Sequence, residues 1–284
     1  MALSKKILGK TGRNVTILGL GGEGILRTTG YYKEAQTVIE KALELGITYF
    51  DTAPAYQQSR DYLGKYLWKK AKRDQIFLAS KTHDRTYKGT MLLLEDSLRR
   101  LKTSYIDLLQ LHDLRTTQDI EEIFSDNGAI HALKDAKKQG KIKFLGITGH
   151  HDPQILISAI KKYDFDTVLL CANAGDKYYV PFISIVIPEA RKRGMGVIAM
   201  KVAGQGYVLS SITMKEALYY TLSQDVDLAI IGCNTTQEVE ENAKLAEEFR
   251  QLSRERLAEI ENKTKPDFEN TNFFKKGMYT HGQI

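Results

Sequence analysis

Short apolar runs recur along the chain at VTILGL (15–20), ITYF (47–50), IFLAS (76–80), IDLLQLH (106–112), KFLGIT (143–148), TVLLC (167–171), GVIAM (196–200) and LAIIG (228–232). Each is largely continuous in its apolar character rather than alternating, as expected of strands buried on both faces. Between them the apolar positions switch to helical spacing. KEAQTVIEKALELG places Val38, Ala42 and Leu43 on one side and stops at Gly46, a residue suited to the left-handed position after a helix. TMLLLEDSLRRLK, from Thr90, spaces Leu94, Leu98 and Leu101 in the same way. AIHALKDAKKQG, PQILISAIKKYD and PFISIVIPEARKRG follow, the last with Pro188 as an expected interruption.

Eight such strands, joined by helix-length crossovers, predict a parallel α/β sheet closed as a (β/α)8 TIM barrel. An open doubly wound sheet would ordinarily carry a G-x-G-x-x-G turn into its first helix. GLGGEGIL (19–26) follows a strand but lacks that spacing, and RTTGYY comes next. One barrel domain is therefore expected over 1–284. A hairpin over about residues 5–17, with TGRN as its turn, would close the bottom. The barrel proper occupies about 15–247, and extra C-terminal helix and a polar, aromatic tail fill about 248–284.

With 42% hydrophobic and 27% charged positions, the 284 residues can fill one large core, and no run nears the ~20 apolar residues of a membrane span. No apolar leader opens the sequence. Two cysteines, Cys171 and Cys233, are too few for a disulfide framework or a thiolate metal cluster. A cytoplasmic protein without a metal site is expected. The net charge of +6 is spread over helix faces such as KKAKR and KDAKKQGKIK, without interleaved aromatics, which argues against a nucleic-acid partner.

In a barrel the C-terminal ends of the strands share one mouth. The second strand ends at Asp51, the third carries Lys81, the fourth delivers His112, and Tyr56 sits on the loop after the second. Each alone has an ordinary structural account: a helix cap, half of a surface ion pair, a satisfied core histidine, a packing aromatic. Together they suit proton delivery to a carbonyl oxygen that accepts hydride. A phenol of pKa about 10 needs an ammonium to favour its ionised form, and a carboxylate to hold that ammonium. An imidazole can hydrogen-bond the same oxygen.

GITYFDTAPAY, the lysine of FLASKTH, and YIDLLQLHDL resemble signature segments of the aldo/keto reductases, and the likeness runs from about residue 6 to 247. The resemblance implies an enzyme that reduces the carbonyl of a small aldehyde or ketone with a nicotinamide cofactor, usually NADPH, extended across the barrel mouth. It implies Tyr56 as proton donor, Lys81 and Asp51 as the pair that tunes it, and His112 as the group that orients the carbonyl. The competing readings are a cofactor-binding regulatory barrel with little turnover, and an isomerase or lyase on a similar barrel. A monomer or weak homo-oligomer is expected.

For the cofactor, the resemblance points to Gly21 and Gly22 after the first strand, and to Thr148, Asn173, Met200 and Lys201 at the ends of the fifth to seventh. Around the start of the last barrel helix it points to Gly232, Thr235, Glu238 and Asn242. The family's paired serine and asparagine become Thr148 and Gly149 in GITGH, its frequent glutamine becomes Leu169, and its stacking aromatic becomes Met200. Lys201 is expected near the pyrophosphate and Asn242 at the adenine. TGHHDP and AMK are closer to a subgroup whose members often carry a C-terminal iron–sulfur region, but no cysteine follows Cys233 here.

Where many members have an arginine for the 2′-phosphate stands Glu238, which would repel that phosphate and accept hydrogen bonds from free ribose hydroxyls. Thr235 and Glu238 also form a candidate capping box. Family habit implies NADP(H) and this residue NAD(H); both stay open, with NADP(H) ahead. AGDKYYVPF (174–182), with Phe273, Phe274 and Tyr279, would either wall an aromatic pocket or anchor the tail to the barrel.

Overall fold

The computed structural model describes residues 3–277. An antiparallel hairpin, β1 (Lys5–Ile7) and β2 (Asn14–Thr16), leads into β3 (Leu18–Gly24), β4 (Tyr49–Asp51), β5 (Phe77–Thr82) and β6 (Ile106–Leu111). β7 (Ile142–Gly149), β8 (Thr167–Cys171), β9 (Gly196–Met200) and β10 (Leu228–Cys233) follow. These last eight pair in parallel and close as a barrel in the order β10-β3-β4-β5-β6-β7-β8-β9. Its crossovers carry α1 (Tyr32–Glu44), α2 (Ser59–Lys70), α3 (Tyr87–Leu101), α4 (Thr117–Ile123), α5 (Ala129–Lys138), α6 (Pro153–Lys162), α7 (Ile183–Lys192) and α8 (Met214–Leu222). After the last strand come α9 (Thr236–Glu247), α10 (Arg254–Thr264) and the single-turn α11 (Phe268–Thr271). Among the described residues no helix is long and apolar enough to cross a membrane.

The helices follow their apolar spacing. α1 buries Ala35, Val38, Ile39 and Ala42. Gly46, at φ 78°, ends it, its N–H donating to the Leu43 carbonyl at 3.0 Å. α3 begins at Tyr87 rather than Thr90, because the Thr86 hydroxyl caps it by accepting from the Gly89 N–H. α7 runs unbroken through Pro188; the Asp176 carboxylate accepts from the Phe182 and Ile183 N–H groups at its start. α4 is an element the apolar pattern did not announce. It is short, buries only Ile120 and Ile123, and is held by a reciprocal cap between Thr116 and Asp119.

The N-terminus departs from expectation in two ways. VTILGL is not one strand. Its first residues belong to β2 and its last to β3, with a corner where the Thr16 hydroxyl donates to the Leu18 carbonyl at 2.7 Å. Nor is TGRN the hairpin turn: a 3-10 turn, Gly9–Thr11, makes the reversal, and Asn14 already pairs with Ile7. The hairpin does close the bottom. Leu8 is fully buried there, and the Lys10 N–H donates to the Gly194 carbonyl at 2.7 Å. A Cβ on Gly9 would lie 2.1 Å from the Gly196 nitrogen, so only glycine permits this approach.

Inside the barrel, Tyr49, Phe77, Ala79, Leu108, Leu169 and Ile198 pack over Leu8 and Val15. Alternation along each strand then decides what faces the mouth. Two residues beyond Tyr49 comes Asp51; two beyond Ala79, Lys81; two beyond Leu108, Gln110, and then His112. Asp51 lies opposite Ala79, and Lys81 opposite Gln110, in the ladder.

Candidate active site

The four expected polar residues meet at the mouth over β4 to β6. The Lys81 ammonium contacts the Asp51 carboxylate and donates to the Thr52 carbonyl at 3.0 Å, both partners of the pair being fully buried. Gln110, which is not among the residues expected from the sequence, donates to the other oxygen of Asp51 at 3.5 Å. Its signal was present: a buried polar side chain in IDLLQLH, in phase with His112. Tyr56 follows a tight turn in which its N–H donates to the Ala53 carbonyl at 3.1 Å and its own carbonyl accepts from Ser59. Its ring centroid lies 4.6 Å from the Lys81 ammonium and 5.8 Å from the His112 imidazole, edge to face. A Cβ on Gly22 would stand 2.7 Å from the Asp51 carbonyl and 2.9 Å from the Tyr56 ring, so glycine there admits the ring to the strand.

Burial and charge fix the protonation states. Burial first, then the carboxylates of Asp51 and Glu23, hold the Tyr56 phenol well above its ordinary pKa, and Arg27 pulls the other way. A nearby ammonium favours the phenolate, but in the folded chain the net shift is upward because burial dominates. Tyr56 is therefore protonated at neutrality. Burial, helped by Lys81, drives the His112 imidazole well below its ordinary value, so it is neutral. Burial raises the Asp51 carboxyl, and Lys81 opposes it. His112 is held from behind: Arg85 donates to its carbonyl at 2.8 Å and to that of Asp113 at 3.0 Å. Asp113, at φ 52°, turns the chain sharply and donates its N–H to the Thr148 hydroxyl at 2.7 Å.

The residues expected at a cofactor lie on the complementary arc, from β7 through β10 to β3. Thr148, Asn173, Met200 and Lys201 close β7, β8 and β9 at the mouth. Asn173 is buried, its amide donating to the Lys201 carbonyl at 3.2 Å and its oxygen accepting from Gly175 at 2.9 Å. Lys201 has a left-handed backbone, φ 60°, and its ammonium lies 5.8 Å from the Phe274 ring. Burial lowers its pKa, and among the described residues no carboxylate forms an ion pair with it. A half-buried ammonium with no carboxylate in direct contact, only Glu23 and Asp113 acting on it from further off, fits an anionic group such as a pyrophosphate. Gly21 and Gly232 let β3 and β10 approach, a Cβ on Gly21 falling 3.1 Å from the Gly232 nitrogen.

Three positions differ in detail from what the residue types suggested. Gly149 faces outward: its ideal Cβ would sit 3.0 Å from Leu156 on α6, so a side chain there would meet the helix layer. Asn242 is buried and donates to the Cys233 sulfur at 3.6 Å. Thr235 does cap α9, accepting from the Glu238 N–H at 3.2 Å. The Glu238 carboxylate, however, accepts from the Asn234 N–H at 2.7 Å instead of closing the reciprocal box on Thr235.

The tail lies across the loops after β7, β8 and β9. Phe274 is buried, edge to face with His150 at 5.5 Å, while Phe273 packs on Tyr207 at 5.2 Å. Lys275 is fully buried, donating to the Asp176 carboxylate at 2.6 Å and the Tyr179 carbonyl at 2.7 Å. These contacts anchor the tail to the barrel. Tyr279 lies outside the described residues.

A family model described as the aldo/keto reductase family matches residues 17–218. L-galactose dehydrogenase of Arabidopsis thaliana is 26% identical, covering 90% of this chain and 92% of its own. Pyridoxal 4-dehydrogenase of Microbacterium luteolum is 31% identical over 72% of each. An aldo-keto reductase from Bacillus halodurans, solved in its holo form, superposes with a TM-score of 0.77 at 25% identity, covering 92% of this chain and 96% of that one. The chain belongs to the aldo/keto reductase family, oxidoreductases that reduce carbonyl groups with NAD(P)H.

Proposed function

We propose that this protein reduces the carbonyl of a small aldehyde or ketone, with Tyr56 as the proton donor. The observation that carries the reading is the Tyr56 phenol and the His112 imidazole meeting edge to face at one mouth, above a buried Lys81–Asp51 pair. The nicotinamide cofactor supplies the hydride when bound. His112, neutral, donates a hydrogen bond that orients the carbonyl oxygen and favours its developing charge. Tyr56 gives the proton to that oxygen, and the neighbouring Lys81 ammonium favours the phenolate left behind. Asp51, held also by Gln110, keeps that ammonium in place. Thr148, Asn173 and Met200 would hold the nicotinamide end and Lys201 the pyrophosphate.

Rapid mixing of the reduced-cofactor complex with a panel of aldehydes and ketones tests this. The panel includes pyridoxal and L-galactose, which two relatives are named for, run in both directions. Single-turnover oxidation of the cofactor is expected with at least one member. Tight cofactor binding with no turnover on any carbonyl would favour a regulatory barrel instead.

Cofactor choice turns on Glu238, for which we propose a place beside the adenosine ribose. Its carboxylate opposes a 2′-phosphate, so Glu238→Arg is expected to tighten NADPH binding about tenfold, a gain of about 1.4 kcal/mol. NADH affinity should stay nearly constant. Losing the carboxylate that accepts from Asn234 should also cost about 0.5–2 kcal/mol of stability. Both dissociation constants and a melting curve check this: lowered stability with an unchanged affinity ratio removes Glu238 from the cofactor site.

A further inference from the structure

We propose that Glu23 and Arg27 form a positioning pair for this reaction, with Arg27 setting the acidity of the Tyr56 hydroxyl; the inference rests on Tyr56 as proton donor. β3 ends at Gly24, whose φ of 66° and whose approach to the Cys233 carbonyl, 2.7 Å from an ideal Cβ, exclude other residues. The chain there folds into a 3-10 turn, Ile25–Arg27, pinned by the buried Ile25 and Leu26. That turn directs the exposed Arg27 side chain back over the mouth. Its guanidinium lies 5.8 Å from the Tyr56 ring centroid. The Glu23 carboxylate accepts from it at 3.0 and 3.2 Å.

The phenol thus lies beside two cations, each with its own carboxylate: Lys81 with Asp51, and Arg27 with Glu23. The first pair is buried and fixed. The second is open to solvent, so its balance responds to salt and to whatever enters the mouth. After burial and Asp51, Glu23 raises the phenol's pKa, Arg27 lowers it and Asp113 raises it again, while Glu23 also faces the Lys201 ammonium. Asp51, Lys81, Asp113 and Lys201 stay unchanged in the two substitutions below. While paired, the two charges largely cancel at the hydroxyl. Removing one exposes the other. This gives opposite signs for two substitutions that a merely structural role would not separate. Removing Arg27 leaves an anion facing the phenol; removing the charge of Glu23 leaves a cation.

The test is the pH profile of the reverse reaction, alcohol oxidation, in which ionised Tyr56 is the base. Arg27→Met is expected to move the ionisation upward by about half a pH unit, and Glu23→Gln downward by about the same, from unit charges at this range in a wet mouth. Arg27→Lys should restore the wild-type profile, and high salt should shrink both shifts. Difference spectra of the tyrosinate band, each variant against the same variant carrying Tyr56→Phe, read the same ionisation without turnover. Shifts of like sign, or an unmoved ionisation alongside a raised KM for anionic substrates, would overturn the inference and make Arg27 a substrate anchor or a structural residue. If Tyr56→Phe is inactive and the ionisation does not move, only this inference fails. If Tyr56→Phe turns over normally, the Tyr56 reading fails with it.

Discussion

Tyr56→Phe is expected to lower carbonyl reduction by ~10²–10⁴-fold, the usual cost of losing a general acid at the reacting oxygen. Folding should be nearly unaffected. Among the described residues nothing hydrogen-bonds the Tyr56 hydroxyl, so its removal strands no buried partner, and the ring keeps its contacts with Gly22, Lys81 and His112. Cofactor affinity should also hold, because the expected cofactor contacts lie on the opposite arc, from β7 to β10 and β3. The pH behaviour follows from the shifts. With the phenol's pKa raised and that of His112 lowered, both groups keep one protonation state through neutrality. Reduction by the wild type should therefore be flat across neutral pH and fall only where Tyr56 ionises. Turnover in Tyr56→Phe equal to wild type, with matched cofactor affinity, would remove the residue from the mechanism.

The half of the mouth proposed for proton transfer was legible because its residues interrupt apolar runs. Asp51, Lys81 and His112 stand out from strands buried on both faces, and alternation alone sends them toward the barrel axis. Gln110 obeys the same parity and differs only in lying one step deeper. The half proposed for the cofactor was harder to read, for physical reasons. Gly21, Gly22 and Gly232 act by what they leave out, and a composition cannot say whether the vacated space admits a ligand or a neighbouring strand; at Gly22 it admits the Tyr56 ring. The direction of Gly149 toward α6, and the tuck of Asn242 onto Cys233, depend on where a strand stops and a helix packs. Residue type does not carry that. Continuity also misled: VTILGL turns its corner between Thr16 and Leu18, where no glycine or proline marks it. The tie between Asp176 and Lys275 joins residues 99 apart, beyond any local pattern. Arg27 needed the turn at Gly24 before its reach over Tyr56 had meaning.

Lys81→Met should match Tyr56→Phe in activity yet differ from it in stability, and the difference separates chemistry from scaffolding. The ammonium is the nearest cation to the phenol, so without it the phenolate left after proton donation loses its closest counter-charge and the rate of reduction falls by ~10²–10⁴. The ionisation of Tyr56 should also move upward. At the same time Asp51 is left buried without its partner, which costs about 3–5 kcal/mol for a broken buried pair. A loss of activity in the single variant could then be blamed on a distorted mouth. The double variant Lys81→Met/Asp51→Asn removes that ambiguity. It carries no stranded charge, Gln110 and the Thr52 carbonyl can be met by the new amide, and much of the lost melting temperature should return. Activity should not return, because the phenol still lacks its ammonium. Recovery of turnover together with stability would mean the pair serves only to hold the loop of Tyr56 in place, and Lys81 would leave the proton-transfer step.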